Sequence, residues 1–137
     1  MKVVISDGAF VPTKAHELDA GYDLYAVEDA VVMAGSSYTF DTGVHMEIPP
    51  NHVGMVKSKS GLNVNHGITS EGVIDAGYTG SICVKLYNHG DRNIIIERGM
   101  KISQIVIMPI ITPELEIVSS LEETERGSNG FGSTGVF

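Results

Sequence analysis

Tryptophan is absent from this sequence of 137 residues, cysteine occurs once, and there is no long uninterrupted apolar run. With Cys83 alone no disulfide can form within the chain, which fits a reducing compartment such as the cytosol. Cys83 lies inside the apolar run 82–86, so we predict that it is a buried small side chain. Because no segment approaches the roughly 18 apolar residues that cross a bilayer, and the N-terminus lacks the apolar region of a signal peptide, we predict a soluble, cytoplasmic protein without a membrane partner.

Cations are also scarce, since nine lysines and arginines stand against seventeen aspartates and glutamates, a formal net charge of −8. Binding to a nucleic-acid backbone needs a continuous basic face, so we predict that no nucleic acid is a partner. A small phosphorylated ligand remains compatible with this charge if the few cations are gathered at one place and a divalent metal screens the ligand from the protein.

Short segments with the pattern of β-strands recur between clusters of turn-forming residues. In residues 44–48, for example, Val44, Met46 and Ile48 alternate with His45 and Glu47, which is typical of a half-buried strand. Many short strands and 16 glycines predict an all-β sandwich or barrel rather than a helical fold. The predicted strands are residues 2–5, 22–26, 37–41, 44–48, 53–57, 82–87, 94–96 and 102–108. One short helix is predicted over residues 60–66, with Ser60 as its N-terminal cap.

The character of the sequence changes near its C-terminal end. Residues 114–118 alternate between glutamate and apolar side chains and predict one more strand, and the polar run 119–125 predicts a linker. We therefore predict a β-domain over residues 1–118, followed by a linker and glycine-rich, flexible arm over residues 119–137.

The arm contains the string R-G-S-N-G-F-G-S-T-G at residues 126–135. Its glycines let backbone N–H groups approach an anion, and Arg126, Ser133 and Thr134 add a guanidinium and hydroxyl donors. Phe131 stands among these donors with no apolar periodicity to bury it, which suits a nucleobase that stacks on it. These residues predict a flap over a nucleotide; the alternative is a disordered Gly/Ser terminus.

A second candidate site lies in residues 72–80, G-V-I-D-A-G-Y-T-G, which have the pattern of a β-hairpin. Asp75 could hold a water molecule and act as a general base, and Tyr78 could pack against a sugar. The alternative is that Asp75 hydrogen-bonds its own backbone in a turn.

Three further segments carry polar groups of interest. Residues 57–62, K-S-K-S-G-L, offer cations, hydroxyls and free N–H groups to phosphates, or form a solvated basic turn. Gln104 interrupts an apolar strand and faces either a phosphate cavity or a backbone partner. Asp23 is a charge within a strand pattern, where burial would require an ion pair or a metal-bound water, and an exposed edge is the alternative.

Taken in order, these segments resemble the five motifs of the trimeric dUTP pyrophosphatases (dUTPases). The matching strings are A-G-Y-D-L at 20–24, K-S-G-L at 59–62, G-V-I-D-A-G-Y-T-G at 72–80, G-M-K-I-S-Q at 99–104 and the arm string at 126–135. The resemblance covers residues 12 to 135. It implies a jelly-roll-like β subunit in a homotrimer whose active sites are shared between chains and closed by the C-terminal arm.

The resemblance also implies an activity: hydrolysis of dUTP to dUMP and pyrophosphate, with Mg²⁺ on the triphosphate, which keeps uracil out of DNA and supplies dUMP for dTMP synthesis. Asp75 would orient and deprotonate the water that attacks the α-phosphorus, and Asp23 would support a metal-bound water. The remaining residues would bind substrate. Tyr78 would exclude a 2′-hydroxyl, and the hairpin backbone, including Gly72, Ile74 and Ile82, would hydrogen-bond uracil. The phosphates would be contacted by Lys59, Ser60, Gly61 and Gln104. In the arm, the γ-phosphate would be held by Arg126, Ser133 and Thr134, and the base would be covered by Phe131 and Gly132.

The sequence departs from the family pattern at three places. Lys59 replaces an arginine, Gly77 replaces a common acidic residue, and Thr69 or Ser70 falls where some members carry a base-reading asparagine. Two other functions remain open at this point: a dCTP deaminase-like enzyme, although a glutamate near the base is not evident, and a non-catalytic or dual-role protein whose interactions are gated by a nucleotide.

Overall fold

The structure of the chain is a computed structural model that describes residues 1–131 and 133–135. Over these residues it has eleven strands, all paired antiparallel, and one helix, so the predicted all-β fold is confirmed. The elements are β1 (Val3–Ile5), β2 (Gly21–Tyr25), β3 (Ala30–Val32), β4 (Ser37–Asp41), β5 (Val44–Met46), β6 (His52–Ser58), α1 (Ser60–His66), β7 (Ile68–Thr69), β8 (Glu71–Asp75), β9 (Cys83–Asn88), β10 (Ile94–Ile96) and β11 (Lys101–Pro109).

Two larger sheets and two ribbons enclose a single core. The four-stranded sheet has the order β2-β11-β6-β8, the three-stranded sheet has the order β4-β9-β7, and β1-β5 and β3-β10 form the ribbons. Alternating residues of each strand point inward, as in β9, where Val84 and Leu86 are fully buried between exposed neighbours. In β11 a register irregularity between Lys101 and Ser103 leaves two consecutive residues, Ile102 and Ser103, both buried.

Each of the eight predicted strands that precede residue 109 is present, with ends displaced by at most two residues. The strands β3 and β7, three and two residues long, were missed, and β8 was predicted only as part of the hairpin at residues 72–80. The helix α1 is confirmed over residues 60–66, but Ser60 is its first helical residue. Lys59 occupies the cap position and makes no capping side-chain hydrogen bond.

The strand predicted at residues 114–118 is wrong for this chain. In the part of the chain that the structure describes, these residues pair with no other strand, and Leu115 and Ile117 are 93% and 99% exposed. A strand needs a neighbouring edge for its hydrogen bonds, and an alternating pattern does not provide one. The last backbone hydrogen bond to the sheets joins Ile110 N–H to the Asn51 carbonyl at 2.8 Å. The division of the chain after residue 118 stays a prediction.

The burial predicted for Cys83 is also wrong, since its side chain is exposed. Cys83 begins β9, in which Val84 and Leu86 face the core, so strand alternation turns Cys83 outward. The alternation of the strand therefore indicates the exposure of Cys83 better than its place in an apolar run does. The described residues include no helix long and apolar enough to cross a bilayer.

Candidate functional site

Asp75 lies at the end of an edge strand. It is the last residue of β8, opposite Val53 of β6, and its side chain is exposed. The chain then turns sharply: the Tyr78 N–H donates to the Asp75 carbonyl at 3.1 Å, and Gly77 adopts a φ of 91°, which glycine tolerates without strain. The turn is confirmed, but β8 pairs with β6 while β9 pairs with β4 and β7. The two flanking strands therefore do not form the predicted hairpin ladder.

This turn borders a cavity of about 300 Å³, lined by Gly72, Val73, Ile74, Asp75, Tyr78, Ser81 and Cys83. Four of these residues were predicted for the site; Val73, Ser81 and Cys83 were not. The alternation of β9 puts Cys83 on the face opposite Val84 and Leu86, and this signal could have placed Cys83 at the cavity. Because β8 is an edge strand, every second residue presents its N–H and C=O away from β6. The cavity thus combines a carboxylate, an aromatic ring and free backbone groups.

The Tyr78 ring is fixed by its neighbours in the turn. Its hydroxyl donates to the Ser81 carbonyl at 2.9 Å, and the ring lies over Gly80, where a Cβ atom would come within 2.3 Å of the Tyr78 hydroxyl oxygen. Any larger residue at position 80 would displace the ring. Tyr78 is nevertheless 46% exposed, so one side of the ring stays accessible to a ligand.

The prediction that Ile82 reads a base through its backbone is wrong. Ile82 is 1% exposed, and its N–H donates to the Val44 carbonyl at 2.8 Å. Its carbonyl accepts from both the N–H and the hydroxyl of Thr42, which uses both lone pairs. The hydroxyls of Thr69 and Ser70 are engaged with His89 and Ser103, respectively.

A second group of predicted residues gathers around the other end of β6. Gln104 of β11 lies opposite both Asp23 of β2 and Lys57 of β6. Its amide donates to the Ser58 carbonyl at 3.1 Å, so the backbone alternative raised for this residue is the one observed. Ser60 and Gly61 are exposed in the first turn of α1. The backbone N–H groups of a first turn have no partner within the helix, so they remain available to an anion.

Asp23 is buried and ion-paired. One carboxylate oxygen accepts from Lys59 Nζ at 2.6 Å and the other from Lys101 Nζ at 2.7 Å, while Asp23 is 5% exposed. Burial alone would raise the pKa of Asp23, but hydrogen bonds and charge attraction from Lys101 and Lys59 outweigh it and lower the pKa. The ion-pair alternative holds, and the exposed-edge alternative is wrong.

The same contacts bear on metal binding. The described residues contain no cluster of three or more His, Cys, Asp or Glu side chains that could hold a metal ion. Each oxygen of Asp23 already accepts from an ammonium group, and Asp23 is only 5% exposed, so little of its carboxylate surface is open to a metal-bound water. Asp23 therefore fits a role in holding Lys59 and Lys101 better than a role at a metal.

The two groups of residues are well separated within one chain. Asp75 lies opposite Val53 and Gln104 opposite Lys57, at two ends of β6 and on its two sides. Four residues of strand span about 13 Å and two strand spacings about 10 Å, so the backbones of Asp75 and Gln104 are roughly 16 Å apart. Asp75 and the phosphate-type donors of one chain therefore do not face a common small ligand.

The C-terminal arm lies apart from both groups. Arg126 bonds locally to the Asn129 carbonyl at 3.1 Å, and Phe131 is fully exposed with a φ of 50°. Ser133 and Thr134 are exposed as well. Gly132, predicted to bind substrate, lies outside the described residues. None of the arm residues that the structure describes lines the cavity beside Asp75.

Comparison with known proteins gives a consistent result. The family model named dUTPase matches residues 7–135. A deoxyuridine 5'-triphosphate nucleotidohydrolase from Clostridium acetobutylicum is 45% identical, with 96% of this chain and 93% of that protein covered. One from Gloeothece citriformis is 44% identical over the same shares.

Solved structures with the same fold come from bacteriophages. The dUTPase of Staphylococcus bacteriophage 80alpha with dUPNHPP has a TM-score of 0.91 and 33% identity over 98% of both chains. A mutant dUTPase of phage phi11 of S. aureus has a TM-score of 0.81 and 29% identity, covering 89% of this chain and 98% of that one. The phi11 structure is described as revealing the coordination of a structural Mg(II) ion.

The lowered pKa of Asp23 predicts a pH-dependent contribution to stability. A carboxyl group whose pKa is lowered by folding stabilises the fold above its unfolded pKa and loses that effect as pH falls through the folded pKa. We expect wild type to exceed Asp23→Asn in unfolding free energy by a constant amount above about pH 5. The difference should shrink below 3.8, the ordinary pKa.

Urea unfolding from pH 7 to acid would measure this difference. Lys59→Met is the comparison variant, because it leaves Asp23 with one ammonium partner and should reduce the pH dependence without abolishing it. A gap between wild type and Asp23→Asn that stays constant through acid pH would contradict the assignment.

Proposed function

This chain belongs to the dUTPase family and hydrolyses dUTP to dUMP and pyrophosphate, and we propose that Asp75 is the residue that directs water to the α-phosphorus. The observation that carries this assignment is the cavity at the end of β8, which brings Asp75 and Tyr78 beside the open edge of the sheet. An exposed carboxylate at such a turn can orient a water molecule and accept a proton from it. The activity keeps uracil out of DNA and supplies dUMP for dTMP synthesis.

Base and sugar are read at the edge strand. We propose that free backbone groups around Gly72 and Ile74 hydrogen-bond the uracil edge, while the narrow cavity leaves no room for the thymine methyl. A Cβ at Gly72 would lie 3.3 Å from the Val56 Cβ, so glycine suits this tight position. The accessible side of the Tyr78 ring would pack against deoxyribose, where a 2′-hydroxyl would collide with it. Ile82 takes no part, because its backbone groups are already bonded.

The phosphates would bind at the other end of β6. The N–H groups of Ser60 and Gly61 at the start of α1 and the amide of Gln104 would contact phosphate oxygens. Lys59, Lys101 and Asp23 together carry one net positive charge, and Asp19 lies close enough to act on Lys101 as well. That local charge attracts a triphosphate.

A single chain does not complete this site. The water-directing carboxylate and the phosphate donors must contact one nucleotide, since a general base acts within hydrogen-bond reach. The roughly 16 Å between Asp75 and Gln104 is too long for that within one chain. We therefore propose that Asp75 of one chain meets the phosphate-binding group of another in a homotrimer. The exposed apolar side chains at 114–118 are a further surface that a neighbouring chain would cover.

The arm would then close over the nucleotide. Arg126 would form a charge-assisted contact with the γ-phosphate, joined by the hydroxyls of Ser133 and Thr134, and Phe131 would stack on uracil. In the described residues these side chains are exposed and make only local contacts. Their exposure leaves them free to bind a nucleotide held elsewhere in the assembly.

A divalent metal takes part in this chemistry, and we propose that it is Mg²⁺. Mg²⁺ is commonly held by substrate phosphates and water rather than by a protein cage, which suits a chain whose described residues lack a metal-ligating cluster. When bound, the ion neutralises charge on the triphosphate and favours in-line displacement. The protein needs no nucleophilic side chain, because positioning and charge stabilisation supply the rate.

Asp75→Asn tests the role of the carboxylate. We expect kcat for dUTP to fall by roughly 10²- to 10⁴-fold, because general-base assistance is lost, while binding of dUTP stays close to wild type. Pyrophosphate release with each deoxynucleoside triphosphate and Mg²⁺ gives the rates, and calorimetry gives the binding. Asp91→Asn, at an exposed carboxylate between β9 and β10, is the control and should keep wild-type turnover.

The same assay separates the alternatives. A deaminase would change dCTP without releasing pyrophosphate, and a binding protein would show no wild-type turnover. Equal hydrolysis of dTTP and dUTP would contradict the base specificity proposed for β8.

Mixing two inactive variants tests whether the sites are shared. Gly61→Asp places a negative charge beside the phosphates, and nothing lies within 4 Å of the added Cβ, so the chain should fold. Asp75→Asn and Gly61→Asp are each expected to be inactive. After unfolding and refolding together in equal amounts, about a quarter of the sites should combine an intact Asp75 with an intact Gly61 from a neighbour.

Recovered dUTPase activity would support the shared site, and native mass spectrometry would establish that the chains have mixed and how many associate. Mixed assemblies that stay inactive would show that each chain uses its own Asp75 and Gly61, against the proposal.

Truncation after Glu125 tests the arm. Because the described residues of the removed segment bond only to neighbours within residues 124–133, we expect unchanged thermal unfolding and an unchanged assembly size in size-exclusion chromatography. Turnover of dUTP should fall by roughly 10²-fold or more, since the arginine contact and the cover over the nucleotide are lost. Phe131→Ala is the milder variant and should mainly raise KM. A truncated protein with full activity would refute the assignment of the arm.

A further inference from the structure

The loop that carries Tyr78 connects two sheets. Residues 76–82, named here the site loop, connect β8 of the four-stranded sheet to β9 of the three-stranded sheet and belong to neither ladder. Within the loop, the Tyr78 N–H bonds to the Asp75 carbonyl and the Tyr78 hydroxyl to the Ser81 carbonyl. Something outside the loop must therefore set where the Tyr78 ring stands.

The outside contacts come from one short segment, residues 41–45, which joins β4 to β5. His45 Nδ1–H donates to the Thr79 carbonyl at 2.8 Å, and the Ser81 hydroxyl donates to an Asp41 carboxylate oxygen. Thr42 donates twice to the Ile82 carbonyl. Among the described residues, the hydrogen bonds of the site loop to other parts of the fold, apart from the Tyr78 N–H bond to the adjacent Asp75, go to this segment, named here the cradle.

The cradle is itself shaped by a local turn. The Gly43 N–H donates to the same Asp41 oxygen at 3.0 Å, and Gly43 has a φ of 65°, a region that favours glycine. A Cβ at Gly43 would lie 2.7 Å from the Ala9 Cβ, so glycine also permits close packing. Hydrogen bonds from Ser81 and from the Gly43 N–H outweigh burial and lower the pKa of Asp41. The carboxylate thus remains an acceptor for both groups.

The three contacts differ in what else they do. Thr42 and Ile82 are each 1% exposed, so their bonds belong to the core. Asp41 is exposed, and His45 points out of β5 between the buried Val44 and Met46. Asp41 and His45 can therefore be changed without opening a cavity in the core. Besides the loop, Asp41 accepts from the Gly43 N–H, and the Ser6 hydroxyl donates to His45 Nε2 at 3.3 Å.

Both contacts act on the residues that directly follow Tyr78. His45 holds residue 79, next to the tyrosine, and Asp41 holds residue 81, whose carbonyl accepts from the Tyr78 hydroxyl. The ring lies over Gly80, which sits between these two points. A loop released at either point would let the ring shift, and a shift of about 1 Å at a substrate-contacting group changes rates strongly.

We propose that Asp41 and His45 are positioning residues that set the sugar selectivity of the enzyme by fixing the site loop beneath Tyr78. This inference rests on the proposed role of Tyr78 at the deoxyribose. The side chains themselves do not touch the nucleotide; they keep the ring where a 2′-hydroxyl would collide with it.

The test compares kcat/KM for dUTP with kcat/KM for UTP. We expect His45→Ala and Asp41→Ala each to lower this ratio by about three- to tenfold, the equivalent of one hydrogen bond, mainly through better use of UTP and a raised KM for dUTP. His45→Asn keeps an N–H donor that is separated from the backbone by the same number of covalent bonds, and Asp41→Asn keeps a carbonyl oxygen as an acceptor. Both should restore most of the wild-type ratio.

Two further variants sharpen the comparison. Ser81→Ala removes the partner of Asp41, so Ser81→Ala combined with Asp41→Ala should change the ratio no more than either alone. Glu47→Ala is the matched surface control, because Glu47 is exposed, lies two residues from His45, and pairs with Lys2 at 3.2 Å rather than with the loop. Its ratio should equal that of wild type.

Thermal unfolding of every variant separates positioning from stability. An unchanged dUTP-to-UTP ratio in His45→Ala and Asp41→Ala, with only a lower Tm, would overturn the inference. The variant Tyr78→Ala shows whether such a result contradicts only the inference about the cradle or also the proposed role of Tyr78. If Tyr78→Ala itself leaves the ratio unchanged, the role of Tyr78 is wrong and the inference falls with it. If Tyr78→Ala abolishes selectivity while the cradle variants do not, only the inference is wrong.

Discussion

The antiparallel ladder of β6 with β8 and β11 fixes the geometry on which the site depends. Its register places Asp75 at one end of β6 and Gln104, with Lys59 just beyond, at the other. A paired strand can neither shorten nor slip without turning its buried side chains to solvent, so this separation is a rigid property of the fold. If Asp75 and the phosphate-binding group have the roles proposed above, catalysis at one phosphorus atom requires two chains to face each other, and assembly is then a condition of activity.

The positions of the few cations near α1 depend on one buried carboxylate. An acidic protein that binds a triphosphate must hold its few cations in place, and the buried carboxylate of Asp23 does so by accepting from Lys59 and Lys101. An isolated buried carboxylate would be costly, but here each oxygen has an ammonium partner and the group of three keeps one net positive charge. Lysine in place of arginine gives a point charge in this position instead of a bidentate fork. In the proposed site, the backbone of α1 would therefore set the phosphate geometry more than this side chain does.

The sequence predicted local features well and pairing poorly. Alternation located each predicted strand before residue 109, because that signal comes from side chains that the core selects. The helix at 60–66 has no buried residue and was located from the cap residue predicted for it. It failed at residues 114–118, where the pattern is present and the described chain offers no edge to pair with. For the site, turn chemistry placed Asp75 and Tyr78 correctly beside a cavity. The backbone role assigned to Ile82 was wrong because its carbonyl is bonded by Thr42, a residue forty positions away, and no local pattern reports such a contact.

The same reasoning explains why no motif pointed to residues 41–45. Motifs consist of residues that contact a ligand, whereas Asp41 and His45 contact a loop, and their partners lie 40 and 34 residues along the chain, respectively. A loop between two sheets gains little from either ladder, so its position depends on a few side-chain hydrogen bonds, each contributing about 1 kcal/mol. That is a small share of folding stability but enough to decide how a tyrosine ring meets a sugar. Selectivity can thus depend on residues whose loss the fold would tolerate.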